Sequence, residues 1–225
     1  MTKRFYMVVY MMALAACFGG AVTALQLLAR DTIERNRHLK QQRQLLELFE
    51  LGDPDTLSTE ECARIVEQQI GEEARVSHPE AKHEIGVMKV YADAEQSDLK
   101  AYGIRFRGLG FWAPIEGILA VNPEATMTLG LIVLEHQETP GLGGRIEERD
   151  FRKQFDLELA ISPTGSTPDG TYLAMAGADV EPEPGDRRFA AITGATQTSM
   201  AMERILNNAL DTFHRGRDEG GSTVD

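Results

Sequence analysis

The sequence predicts an α+β protein: an N-terminal transmembrane helix, then a soluble domain with a largely antiparallel sheet and flanking helices. Three observations carry this. Phe5 to Ala29 contains no Asp, Glu, Lys, Arg or His. Beyond Glu73, six short strand-like runs are separated by Gly- and Pro-containing segments. Near the C-terminus, Ser199 to Phe213 carries apolar residues at helical spacing.

The apolar run comes first. At about 1.5 Å per residue it is long enough to cross a hydrocarbon core of roughly 30 Å. Lys3 and Arg4 before it resemble the start of a signal peptide, and Leu14-Ala15-Ala16-Cys17 resembles the approach to a lipidated cysteine. Against both, the run continues past Cys17 through Ala21, Val22, Leu25, Leu27 and Leu28, so a retained span is expected. The basic residues on its two sides leave the orientation open. Arg30 to Leu51 is charged and helix-favouring, with apolar points at Leu39, Leu45, Leu46 and Phe49, and reads as a helical stalk stopped by Gly52-Asp53-Pro54-Asp55. Ser58 and Glu61 form a capping box for a short helix to Ile70, on which Cys62 reads as a small buried side chain.

The strand-like runs are Gly86–Tyr91, Leu99–Arg107, Gly117–Val121, Thr128–His136, Phe155–Ala160 and Thr171–Ala176. Their separators include Gly108-Leu109-Gly110, Asn122-Pro123, Thr139-Pro140-Gly141 and Ser162-Pro163-Thr164-Gly165. Phe189 to Ile192 is a last apolar stretch before the C-terminal helix. The expected division is 1–30 anchor, 31–57 stalk, 58–215 domain, and a disordered tail over 216–225.

Composition excludes several function classes. With 23 Lys and Arg against 35 Asp and Glu, the formal net charge is -12, which argues against tracking nucleic-acid phosphates. Two cysteines make neither a disulfide scaffold nor a four-ligand zinc site. The five histidines show no metal-ligand spacing, and no Walker or dinucleotide fingerprint is present. No metal site and no general acid or base is assigned.

Two segments remain. Thr193-Gly194-Ala195-Thr196-Gln197-Thr198-Ser199 lies between an apolar stretch and an amphipathic helix, where a helix N-terminus favours an anion. Spacing alone favours Thr196 or Thr198 as a simple helix cap. Glu138-Thr139-Pro140-Gly141-Leu142-Gly143-Gly144 is a rigid turn whose glycines admit a flat ligand close to the backbone, and which on spacing alone is also an ordinary hairpin loop.

Together and in this order, the two segments resemble the FMN-binding subunit shared by the Na+-translocating NADH:quinone reductase (its C subunit) and the Rnf electron-transport complex (its G subunit). The resemblance extends to the N-terminal span, the charged stalk, and Gly110-Phe111-Trp112 with Gly117. It implies an electron carrier in a membrane redox complex, with FMN esterified through its phosphate to Thr198 by a separate flavin transferase. It implies flavin contacts from Glu138, Thr139, Gly141, Leu142, Gly143, Thr193, Gly194, Ala195 and Thr196. Its other implications are further subunits as partners and a single span in the inner membrane with a periplasmic domain. One departure stands out: the aspartate usual three residues before the motif is Ala190 here, and the nearest upstream acid is Asp186. That departure keeps a second expectation open, a membrane-tethered binding or assembly module of the same fold without covalent flavin.

Overall fold

The computed structural model describes residues 2–78, 84–161 and 171–218. The chain divides into two compact units, Met1–Gln42 and Arg43–Asp225. The described residues of the first all lie within α1 (Thr2–Leu48). Its apolar side chains are exposed, among them Phe5, Tyr10, Phe18, Val22 and Leu28. By length and composition this helix can cross a membrane. Thr23, inside the apolar run, donates its hydroxyl to Gly19 O at 2.8 Å and so needs no outside partner for it.

The second unit is built on a five-stranded antiparallel meander: β1 (Ala74–Val76), β2 (Ile85–Tyr91), β3 (Leu99–Leu109), β4 (Pro114–Val121) and β5 (Thr128–Glu135), adjacent in chain order. Alternation sends successive side chains to opposite faces. Leu119, Val121, Leu131 and Val133 join one core, while Ile118, Ala120 and Ile132 join another. Because both faces are covered, Ile118-Leu119-Ala120-Val121 is apolar throughout rather than alternating. One face carries α4 (Thr196–Asp218) through Met202, Ile205, Leu206, Ala209, Leu210 and Phe213. On the other face Leu45, Leu48 and Phe49 pack with Met88, Val90 and Ile132. Three apolar points of the expected stalk, Leu45, Leu46 and Phe49, are therefore core residues of the domain.

The capping box forms as expected: α2 (Thr59–Gln69) starts at Ser58, with reciprocal bonds to Glu61. Cys62 is buried. Four expected strands appear with ends shifted by one to three residues, and β1 is an addition to them. Phe155–Ala160 is not a strand. Lys153–Leu157 is a 3-10 turn following the short helix α3 (Arg149–Arg152), and only Ala160 bridges to Met127. Phe155 is instead buried against Phe151 and Phe189, with ring centroids 5.7 and 5.4 Å away. Thr171–Ala176 shrinks to β6 (Ala174–Ala176), because Tyr172 and Leu173 give their N–H groups to Asn207 Oδ1 rather than to a strand. β6 pairs in parallel with β7 (Arg188–Ala190).

The last helix starts at Thr196, earlier than Ser199, and Gly216 to Asp218 continue it rather than opening a tail. Residues 219–225, and the Ser162–Gly165 turn, lie outside the described residues.

Candidate functional site

Three chain segments converge at one end of the sheet. The β3–β4 hairpin turns through Gly110–Ala113, closed by Gly110 N–H donating to Ala113 O at 2.9 Å. Beyond β5, the loop from Thr139 folds back as Leu142 and Gly144 donate their N–H groups to Thr139 O, at 3.1 and 2.9 Å. The third segment ends in a tight turn, Ala195 N–H to Ile192 O at 2.9 Å, from which α4 departs. Ser199 fixes that departure: its Oγ accepts from Ile192 N–H at 2.9 Å and donates to Ala195 O at 3.1 Å.

Glu138 joins the three. Its side chain is buried, and its Oε1 accepts the N–H groups of Phe111 (2.8 Å) and Trp112 (3.1 Å). Its Oε2 accepts the hydroxyl of Thr198 at 2.8 Å. Thr198 is 3% exposed and lies in the first turn of α4, so it does not cap the helix. Helix initiation three residues before the sequence expectation is what turns this hydroxyl inward. Gly143 passes directly over the pair: a Cβ there would collide with Thr198 Oγ1 and stand 2.8 Å from Glu138 Oε2. A Cβ on Gly194 would touch Leu142 Cδ2 at 3.4 Å, so the two motifs are in contact.

Of the expected site residues, Glu138, Leu142, Gly143, Gly194 and Thr198 are brought together. Ala195 is buried in the turn, while Thr193 and Thr196 are exposed at the start of α4. Thr139 and Gly141 are exposed on the loop, where Thr139 contributes its carbonyl. The Phe111 and Trp112 amides escape sequence reasoning, since a backbone donor leaves no mark in a sequence. Asp186 does not replace the absent aspartate near the motif. Its carboxylate is bonded by the Arg188 guanidinium, at 3.0 Å, and held below the usual carboxylate range by it. Ala190 gives its N–H to Gln154 Oε1.

The rim of the site is apolar and exposed. Leu109, Phe111, Trp112, Leu142 and Met200 all show a third or more of their surface, and Phe111 meets Trp112 edge to face at 5.0 Å. Arg204, one turn beyond Met200, donates to Leu109 O and ties α4 to the end of β3. No acidic residue lies in the first turn of α4, whose leading N–H groups therefore present a favourable field to an anion. An apolar rim for a planar ring, a helix start for a phosphate and a hydroxyl held by a carboxylate suit a flavin mononucleotide. Among the described residues, no cluster fits a metal ion.

Comparison with known proteins gives the same answer. Residues 110–211 match the FMN-binding domain family. The G subunit of the ion-translocating oxidoreductase complex of Stutzerimonas stutzeri is 34% identical over 44% of this chain and 46% of its own length, so the match spans under half of that relative. The C subunit of the Na(+)-translocating NADH-quinone reductase of Pseudomonas aeruginosa is 23% identical over 88% of this chain and 85% of its own length. In fold, the chain is similar to the crystal structure of Shewanella oneidensis NqrC, with a TM-score of 0.62 and 20% identity over 83% of this chain and all of that one. It is similar also to the C subunit of the Na(+)-translocating NADH-quinone reductase of Parabacteroides distasonis, with a TM-score of 0.63 and 21% identity over 82% and 94%.

Proposed function

We propose that this chain, whose residues 110–211 match the FMN-binding domain family, is the membrane-anchored electron-carrier subunit of an ion-translocating NADH:quinone or Rnf-type oxidoreductase, with FMN bound by a phosphoester to Thr198. The observation that carries the reading is the convergence of Glu138, Gly143 and Thr198, the functional ends of two motifs far apart in the sequence. The relatives named as subunits of such complexes support other subunits as partners; a flavin transferase is the further partner that attachment to Thr198 requires. The apolar helix acts as an inner-membrane anchor with the domain on the periplasmic side.

Bound FMN supplies reversible electron transfer. The chain supplies the position. Thr198 provides the tether, and the first N–H groups of α4 offset the phosphate charge, an effect typically worth about 0.3–1 kcal/mol. Leu142, Phe111 and Trp112 offer apolar surface to the ring, and Gly141 to Gly144 let the loop backbone lie close to it. No residue acts as acid or base in electron transfer itself.

Co-expression with a flavin transferase, followed by intact-mass and in-gel fluorescence measurements, tests this. One FMN-phosphoryl increment is expected, located on the peptide containing Thr198 and absent in Thr198→Ala. Covalent flavin retained in Thr198→Ala defeats the reading. Ala190 in place of the usual aspartate favours the second reading, a tethered binding or assembly module without covalent flavin, and a colourless protein of unchanged mass would support it.

A further inference from the structure

A threonine hydroxyl is a weak nucleophile that needs a base within hydrogen-bond reach to attack phosphorus. On the reading that Thr198 is the attachment point, we propose that Glu138 is the proton acceptor for its flavinylation. The domain thus carries half of its own modification chemistry.

The geometry has the three parts such a device requires. The nucleophile, Thr198 Oγ1, donates to Glu138 Oε2 at 2.8 Å. The base is oriented by a third group, since the Phe111 and Trp112 amides occupy Oε1 and turn Oε2 toward the hydroxyl. Glu138 and Thr198 are 4% and 3% exposed, so bulk water is a poor competitor for the proton. Other candidates are engaged elsewhere: His136 accepts the Glu138 N–H through Nδ1 and faces Glu147 across 3.5 Å through Nε2, and Ser199 is bonded to Ile192 and Ala195. Among the described residues no other titratable side chain is bonded to Thr198 Oγ1.

The step balances with a flavin adenine dinucleotide as co-reactant. Thr198 Oγ bonds to the phosphorus that bears the riboflavin. The bond from that phosphorus to the bridging oxygen breaks, and AMP leaves with the oxygen and its electron pair. The hydroxyl proton passes to Glu138 Oε2. No oxidation or reduction occurs.

The test uses full-length protein in detergent with purified flavin transferase and FAD, following the initial rate of fluorescent labelling, the labelled peptide and the melting temperature. Glu138→Gln keeps the shape and still reaches Thr198 through its amide, but as a donor. We expect it to melt near wild type, to be labelled on Thr198, and to be labelled about 100- to 10,000-fold more slowly. Labelling of Thr198 at the wild-type rate overturns the proposal. Wild-type label on a different residue overturns the attachment reading instead, and peptide mapping separates the two failures. Should Glu138→Gln not fold, Glu138→Asp replaces it. Slower labelling with an unchanged KM for FAD supports the proposal, and an unchanged rate overturns it.

Discussion

Gly143 and Gly141 stand two positions apart and do different work. Gly143 is buried, and any Cβ there would meet Thr198 Oγ1 and Glu138 Oε2. Gly143→Ala is expected to lose about 1–3 kcal/mol through overpacking and to abolish flavin attachment. Gly141 has open space around it but a φ of +73°, a conformation side chains disfavour. Gly141→Ala is therefore expected to lose roughly 1–2 kcal/mol through backbone strain while keeping attachment. Thermal melts and in-gel fluorescence on the two variants check the contrast, and equal labelling of both would refute it. That residues 138–144 and 193–198 belong to one candidate site is legible in the sequence because their glycines and hydroxyls form a recognisable pairing. The direction of the Thr198 hydroxyl is not, since it depends on α4 beginning at Thr196 rather than Ser199.

Elements whose signal is local are legible in the sequence. Helix α2 is an example: Ser58 and Glu61 announce its start by spacing alone, and Ser58→Ala is expected to destabilise the domain by about 1 kcal/mol. The Ser58 backbone N–H, and after it the Ser58 hydroxyl, hold the Glu61 carboxyl below its usual range, and Ser58→Ala removes the hydroxyl's share. A depressed carboxylate contributes stability above its unfolded pKa, and that contribution is lost as pH falls through the folded value. The melting difference between wild type and Ser58→Ala is thus expected to be present at neutral pH and to shrink in acid. A difference that grows in acid would contradict the capping geometry. Phe155–Ala160 misleads for a physical reason. Phe155, Leu157 and Leu159 alternate with charged residues and imitate a half-exposed strand. The competing i,i+4 pair Phe151 and Phe155, packed on Phe189, decides the local conformation. The three-residue β1 is too short to carry a periodic pattern at all.

At the scale of the whole molecule, the end of α1 belongs to the domain. Leu45, Leu46, Leu48 and Phe49 are all under a tenth exposed. A chain beginning at Arg43 is expected to fold and melt cooperatively, whereas one beginning at Ser58 lacks four buried apolar side chains. At about 1.5–3 kcal/mol each, their loss approaches the entire stability of an ordinary domain, about 5–15 kcal/mol. Equal melting temperatures for the two chains would show that this packing contributes little. The contact between Glu138 and Thr198 closes a separation of 60 residues and also holds the hairpin at Phe111 and Trp112. A nascent or partly collapsed chain has not closed that loop and presents Thr198 without its acceptor. With attachment at Thr198 as proposed, flavin incorporation would act as a proofreading step for folding: only molecules with finished topology would acquire colour. The fluorescent fraction of a preparation would count its native molecules, and subunits entering a larger assembly would be marked as competent beforehand.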